Sequence, residues 1–306
     1  MIGIKERQIL FDCIKNFIPV RKWRQSVKKY IWGEKNAEKY LKKLQKKVPE
    51  TFLMPFCDVP EVSIVIPVYN QYIFTKLCLW SIYCNTRKVN YEIIIADDNS
   101  FDETKNICEQ IKNIRVIRNE KNFGFLKNCN NAVKYARGKF VVLLNNDTVP
   151  QKNWLTSLLK VFNEHKRVGV VGAKFIFGTG KLQEAGSMVL KDGTPVNLGW
   201  NQYPFLSEFN ELKRVDYCSG CGILFEKKLW NKLGGFDEMY SPAYYEDTDF
   251  CFRVRECEGL DVYYQPLSEI IHFHNVSYSD KAKEQCEVNK NKFIQKWNNV
   301  LEKKGQ

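Results

Sequence analysis

Apolar and polar positions along this 306-residue chain follow two different periods, and the switches between them outline an α/β architecture. Val62-Ser-Ile-Val-Ile-Pro67-Val-Tyr-Asn70 is a β-branched run broken by proline, which predicts a strand whose last residues leave the ladder. Phe74, Leu77, Cys78, Trp80 and Ser81 then recur at helical spacing. Tyr91 to Ala96 repeats the buried strand and runs into Asp97-Asp98-Asn99-Ser100; another helix reaches Ile111, and Ile114 to Ile117 predicts a third short strand. Phe140-Val-Val-Leu-Leu144 is an unbroken apolar run of strand length that ends in Asn145-Asn146-Asp147-Thr148. Unbroken apolar strands alternating with helices imply βαβ units and a parallel sheet buried on both faces.

Past residue 150 the pattern becomes less regular. Trp154, Leu155, Leu158, Leu159 and Phe162 share one face of a predicted helix, and Val168 to Phe177 reads as a strand. Residues 178–213 are rich in Gly, Asn and single aromatics with little period, and predict irregular hairpins shaping an acceptor cleft. Asp216 to Phe225 predicts a strand and Lys228 to Leu233 a short helix. Gly234-Gly-Phe-Asp-Glu238 is a turn leading to Tyr244-Tyr-Glu246-Asp247-Thr-Asp249, with a helical period from Thr248 that sets Asp249 i,i+4 from Arg253. Val262 to Tyr264 is a strand, Ile270-Ile-His272-Phe-His274 follows it, and Ala282 to Leu301 reads as a packing helix.

Upstream lie three amphipathic stripes. Ile9, Leu10, Cys13, Ile14, Phe17 and Ile18 form the first, and Trp23, Val27, Tyr30 and Ile31 the second; the third starts near Asn36 as an N-cap and runs through Tyr40, Leu41 and Leu44. Leu53 to Pro60, with prolines around a polar turn, reads as a linker. The predicted organisation is a basic helical extension over 1–60, a main domain over 61–275 with halves 61–150 and 151–275, and a C-terminal helix over 276–306.

Charge sharpens this division. Lys and Arg exceed Asp and Glu by 47 − 35 = +12, and residues 1–50 hold 14 of the cations and 5 of the acids, or +9 of that excess. Basic helices bearing tryptophan suit an anionic membrane interface, and equally suit packing on the main domain with the lysines in water. Nucleic acid is not an expected partner, because the main domain carries little of the excess. Eleven cysteines, an odd number spread from Cys13 to Cys286, fit free thiols in a reducing compartment better than a disulfide framework. Cys218-Ser-Gly-Cys221 lacks a second pair or a nearby His, so it reads as small apolar wall rather than a zinc site. No stretch reaches membrane-span length and no signal region opens the chain, so the expected location is cytoplasmic.

The chemistry gathers at strand ends. Ligand crevices of open α/β sheets lie at the carboxyl ends of their strands, so Asp97, Asp98 and Asp147 should share one rim. A lone carboxylate there suits a hard divalent cation bridging phosphates; Asn and Asp also suit a simple strand-to-turn exit. No G-x-G-x-x-G or Walker pattern follows any strand, against dehydrogenases and P-loop enzymes. Glu246 and Asp247 could equally serve as acids at a helix N-terminus. His272 and His274 point the same way on a strand, toward a cleft or into the core.

Val62 to Asn70, Asp97-Asp-Asn-Ser100, Asn122-Phe-Gly-Phe125 with Asn128 and Ala132, and Leu143-Leu-Asn-Asn-Asp-Thr148 together resemble the ordered motifs of family 2 glycosyltransferases. Gly-Gly-Phe-Asp-Glu238 followed by Glu246-Asp-any-Asp and Arg253 is similar to that family's second signature, and the likeness spans about residues 61–275. The resemblance implies an α/β, GT-A-like fold with a mixed, mostly parallel central sheet flanked by helices. It implies an inverting transferase of hexosyl or deoxyhexosyl type, with Mn²⁺ or Mg²⁺ as cofactor and a nucleotide-sugar donor. Pro67, Tyr69, Asn70, Asp98 and the neighbouring Asp97 would hold the nucleotide, with Asn145, Asn146 and Gly124 near the donor. Asp147 would bind the metal, with His272 favoured over His274 beside it; Asn145 stands where the family often has an acid. Asp247 would be the general base, Glu246 its alternate or acceptor-orienting partner, and Asp249 would pair with Arg253 or touch the acceptor.

The expected acceptor is a glycan or lipid-linked glycan, reached from the inner face of the membrane through the basic helices; a homo-oligomer is left open. Two rivals remain at this stage. One is a sugar nucleotidyltransferase, which should open with a glycine-rich, Arg-containing loop rather than Pro-Val-Tyr-Asn. The other is a catalytically silent scaffold, favoured by Asn145 alone.

Overall fold

The computed structural model describes residues 34–273 and 280–303. Its centre is a ten-stranded mixed sheet. In chain order the strands are β1 (Val62–Val68), β2 (Tyr91–Asp97), β3 (Arg115–Arg118), β4 (Phe140–Leu144), β5 (Thr148–Pro150), β6 (Val168–Phe177), β7 (Leu182–Glu184), β8 (Lys213–Arg214), β9 (Gly222–Glu226) and β10 (Asp261–His272). Across the sheet they run β8-β10-β6-β9-β4-β1-β2-β3, with β5 added to β10 and β7 to β6. The β4-β1-β2-β3 half is parallel, as the βαβ pattern requires; β9 runs antiparallel between β4 and β6.

Strand periodicity divides the core in two. Val65, Ile94, Val141 and Leu143 face one side, Ile64, Ile66, Ile93, Ile95, Val142 and Leu144 the other, all at 0–2% exposure. Each such side chain contributes about 1.5–3 kcal/mol of burial. Helices α1 (Glu34–Gln45), α2 (Tyr72–Asn85), α3 (Phe125–Val133), α4 (Trp154–Glu164), α5 (Lys227–Leu233), α6 (Glu246–Glu256) and α7 (Asp280–Glu302) complete the framework. Helix α7 seals one core with Phe293, Trp297 and Leu301, the Phe293 ring meeting Phe252 edge-on at 4.9 Å.

Several expectations shift. The first two basic stripes lie outside the described residues, as does His274. The third is α1, which begins at Glu34 rather than at an Asn36 cap, and its Tyr40, Leu41 and Leu44 pack on Leu77, Val149 and Ile271. The expected linker is partly built in: Phe52–Leu53 pairs in parallel with Ile111–Lys112, and Met54 is buried. Pro67 does not leave the ladder; it pairs with Ala96. Pairing of β1 with β4 stops at Val65–Leu143, so the missing proline N–H falls where β1 has one partner strand. Val262 to His272 is a single strand, β10, with a register shift between Gln265 and Glu269 that interrupts its period.

Among the described residues no helix is long and apolar enough to cross a membrane.

Candidate active site

Sheet register builds one corner of the site. The antiparallel pairing of β5 with β10 sets Thr148 opposite His272, which brings the residue before Thr148 alongside the imidazole. Asp147 Oδ1 lies 3.0 Å from His272 Nε2, and Gln183 Oε1 lies 3.1 Å from Nδ1. Each ring nitrogen of His272 thus faces a side-chain oxygen, one from the carboxylate and one from the amide. Carboxylate and imidazole are both ordinary ligands of a divalent cation, so Asp147 and His272 could hold one. The Gln183 amide behind the ring fixes the orientation of the imidazole. Among the described residues no third His, Cys, Asp or Glu joins this pair, so an ion held here takes its remaining ligands from elsewhere.

The neighbouring amides are fixed by the scaffold. Asn146 Nδ2 donates to Thr75 Oγ1 on α2 (3.0 Å), and Asn145 Nδ2 points to Cys221 Sγ (3.1 Å). Asn145 Oδ1 is buried with no hydrogen-bond partner.

The turn before β9 forms the second corner. Gly220 N–H donates to Asp247 Oδ2 (2.8 Å), and Thr248 N–H donates to Oδ1 (2.7 Å). Asp247 thus sits in the first turn of α6, where N–H groups and the helix dipole favour an anion. Burial raises its carboxyl above the ordinary range, and the hydrogen bonds from Gly220 and Thr248 oppose that rise. Glu246 beside it is buried, with Oε2 unpartnered; burial and then the Asp247 charge raise it well above the carboxylate range. Asp247 is the better anion of the two. The residues leading into this helix, Tyr244 and Tyr245, hold φ of 77° and 71°, a conformation bulky side chains rarely adopt. Asn289 of α7 stabilises it, its Nδ2 facing the carbonyls of Tyr240 (2.7 Å), Ala243 (2.9 Å) and Tyr244 (2.9 Å).

A third carboxylate was absent from the sequence reading. Glu184 Oε1 accepts from Ser219 N–H (3.0 Å), one peptide before the N–H that holds Asp247. Strand β7 therefore positions both corners, with Gln183 on His272 and Glu184 on the Ser219-Gly220 turn. Burial pushes Glu184 to about 7, with the Ser219 hydrogen bond opposing and the Asp247 charge adding to the rise. The corners also share a field. Burial lifts the Cys221 thiol well above its usual value, a hydrogen bond with Ser219 opposes that rise, and the charges of Asp147, Glu184 and Asp247 add to it.

Glu184 ionises in the unfolded chain near 4.5 and in the folded one near 7. The stability it contributes is therefore complete below the lower value and is lost as pH rises through the upper one. Glu184→Gln is expected to remove this slope: urea melts of the two proteins should diverge between pH 5 and 7.5 in favour of the variant, by on the order of 3 kcal/mol.

The nucleotide-side residues meet at the ends of β1 and β2. Asp98 accepts from Phe123 N–H (2.9 Å), Gly124 N–H (2.8 Å) and Asn119 Nδ2 (2.8 Å). Asp97 is fully buried, accepting from Ser100 N–H at 2.8 Å and pairing with Arg118. Asn70 Oδ1 accepts from Phe101 N–H (2.9 Å), which shapes the 99–102 loop. Tyr69 and Phe101 stand exposed at the rim, edge to face at 6.2 Å. Phe101, a lone aromatic in a polar loop, gave no periodic signal. Gly124 lies at φ +86°, and a Cβ there would come 2.7 Å from that of Pro242, so the absence of a side chain lets Pro242 approach closely. Asp249 is not available to an acceptor. It is fully buried and accepts from Arg253 Nε (2.7 Å), Trp297 Nε1 (2.8 Å), Lys296 Nζ (2.8 Å) and Tyr240 OH (3.2 Å).

A family model described as Glycosyl transferase family 2 matches residues 63–234, more than half of the chain. The chain belongs to glycosyl transferase family 2. Among curated relatives, it is 28% identical over 233 residues to the O-antigen biosynthesis protein RfbC of Myxococcus xanthus, covering 73% of this chain and 18% of RfbC. It is 26% identical over 279 residues to the chondroitin synthase of Escherichia coli, covering 79% of this chain and 38% of the synthase. The chain therefore spans a minor part of the length of these relatives. Among solved structures, the crystal structure of GalNAc-T7 with UDP, GalNAc and Mn²⁺ superposes with a TM-score of 0.62 at 16% identity, covering 78% of this chain and 48% of that one. This family 2 chain has the GT-A fold that its motifs and alternating strands implied.

Proposed function

We propose that this family 2 protein is an inverting glycosyltransferase. It moves a hexosyl or deoxyhexosyl group from a nucleotide-diphosphate donor to a hydroxyl of a glycan or lipid-linked glycan, in the synthesis of a cell-surface polysaccharide or lipopolysaccharide. The observation that carries this reading is that the 219–221 turn holds Asp247 through Gly220 N–H and, through Cys221, Asn145, two residues before the Asp147 that pairs with His272. The names of the relatives, O-antigen biosynthesis and chondroitin synthesis, support the acceptor class. The basic stripes of residues 1–31 support a lipid-linked form of it, drawn to an anionic bilayer.

Asp147 and His272 would hold a Mn²⁺ or Mg²⁺ ion; the Mn²⁺ and UDP of the GalNAc-T7 crystal support the pairing of metal and nucleotide. When bound, the ion neutralises charge on the diphosphate as it leaves. Tyr69 and Phe101 offer faces to the base, and the Asp98-held 123–124 loop borders the nucleotide. Asp247 takes the proton from the acceptor hydroxyl, whose oxygen forms the new bond to the anomeric carbon as the bond to the diphosphate breaks on the opposite side. The anomeric configuration inverts. Glu246, its carboxyl raised well above the carboxylate range by burial and then the Asp247 charge, has an unpartnered Oε2 that would orient the acceptor.

A thermal-shift and donor-hydrolysis screen of nucleotide sugars with MnCl₂ or MgCl₂ tests this. A donor should raise Tm and be slowly hydrolysed in the presence of metal, and Asp147→Asn should weaken both effects at least tenfold. Absence of both for every donor would overturn the proposal, and pyrophosphate-dependent exchange would assign a nucleotidyltransferase instead.

A further inference from the structure

One large aromatic beside the site has no part in the transfer. Trp200 is 54% exposed, yet its backbone is fixed. Gln202 N–H closes the turn onto Gly199 O (2.9 Å), Asn201 N–H donates to Leu182 O (2.8 Å), and Leu182 N–H donates to Gln202 O (2.9 Å). Leu182 directly precedes Gln183 and Glu184, which position the two corners of the site. The indole meets Phe177 edge-on, ring centroids 5.0 Å apart at 89°.

Phe177 is the register partner of His272 on β10, and directly paired residues share a face of the sheet. The Phe175 ring, two residues back, lies 5.7 Å from the His272 ring, which confirms the face. Phe177 therefore links Trp200 to the strand pair that carries His272, on the face of the sheet that holds the site, where an extended glycan acceptor would pass. Tyr203 and Phe205 continue the aromatic surface, stacked at 5.3 Å, with Lys181 Nζ 3.3 Å from the Tyr203 ring centroid.

An exposed indole held rigid binds flat ligands at little entropic cost. The C–H face of a pyranose covers an indole, while its hydroxyls reach polar groups at the edge. Asn201 and Gln202, the next two residues of the same turn, are exposed and bring such groups to this surface. A lipid chain has no use for them, so the surroundings favour sugar over hydrocarbon.

We propose that Trp200 is the floor of an acceptor subsite that stacks one pyranose ring of the glycan, next to the unit receiving the transferred sugar. The subsite rests on the transferase reading for its meaning, and a binding measurement separates the two. Full-length wild type, Trp200→Ala and Trp200→Phe are titrated onto a printed array of bacterial surface oligosaccharides, and their nucleotide-sugar hydrolysis with MnCl₂ is measured in parallel. The half-saturating concentration on the best wild-type glycan should rise about tenfold in the alanine variant, be largely restored by phenylalanine, and leave donor hydrolysis unchanged. Equal glycan affinity in wild type and Trp200→Ala overturns the subsite, as does absence of wild-type binding to any glycan. Loss of donor hydrolysis in Trp200→Ala also overturns it, by placing the indole on the donor side. If Trp200→Ala fails to fold, Trp200→Gln takes its place. Absence of donor hydrolysis in wild type counts against the transferase reading alone.

Discussion

Asp247→Asn is expected to lower kcat for transfer by about 10²- to 10⁴-fold, the range ordinarily lost with a positioned general base. The substitution keeps the side chain's size and one oxygen, so the hydrogen bond from Gly220 N–H can persist and the α6 terminus should stay folded. In the proposed arrangement the donor lies on the Asp147 and Asp98 side of the site, so a nucleotide sugar that raises the Tm of the wild type should raise that of the variant equally. Glu246→Gln provides the contrast. Burial and then the Asp247 charge raise the Glu246 carboxyl well above the ordinary range, which favours its protonated form, and an amide is nearly isosteric with that form. Its effect on kcat should be under tenfold. Steady-state kinetics of both variants with one donor and one acceptor decide the assignment, and the reverse ranking would make Glu246 the base.

Much of the site was legible because its signals are local. An unbroken apolar run that stops at a polar cluster marks the end of a buried strand, and Asp97, Asp98 and Asp147 were found in that way. The Asp249–Arg253 pair followed from helical spacing alone. What escaped were contacts made by irregular backbone. Glu184 reaches Ser219 from 35 residues away, out of a segment whose three-residue strands are too short to show a period. Gln183 meets His272 across 89 residues for the same reason. The pinning of Tyr244 by Asn289 depends on α7 returning to the site, and no pattern in either segment announces it.

Asp249→Ala should destabilise the protein more than any other single change at this end of the molecule. Its carboxylate is fully buried and gathers four donors: Arg253, Lys296, the Trp297 indole N–H and the Tyr240 hydroxyl. Two of these come from α7, so one side chain ties the C-terminal helix to α6 and, through Asn289, to the backbone that presents Asp247. Removing it leaves the Arg253 Nε–H, the indole N–H and the hydroxyl unmatched, while the rest of the Arg253 guanidinium, on a side chain 11% exposed, stays on the carbonyls of Leu233 (2.7 Å) and Gly235 (2.7 Å). Breaking a buried ion pair from one side typically costs about 3–5 kcal/mol. Lys296, 26% exposed, can turn partly to water and to Asp237, which sets the estimate nearer the lower figure. At about 2–4 °C per kcal/mol for a chain of this size, Tm should fall by roughly 10 °C. Donor and acceptor KM, measured well below the new Tm, should move less than threefold, since a structural tie acts on the folded fraction. A large rise in acceptor KM with unchanged Tm would instead return Asp249 to the acceptor site, against its burial and its four partners.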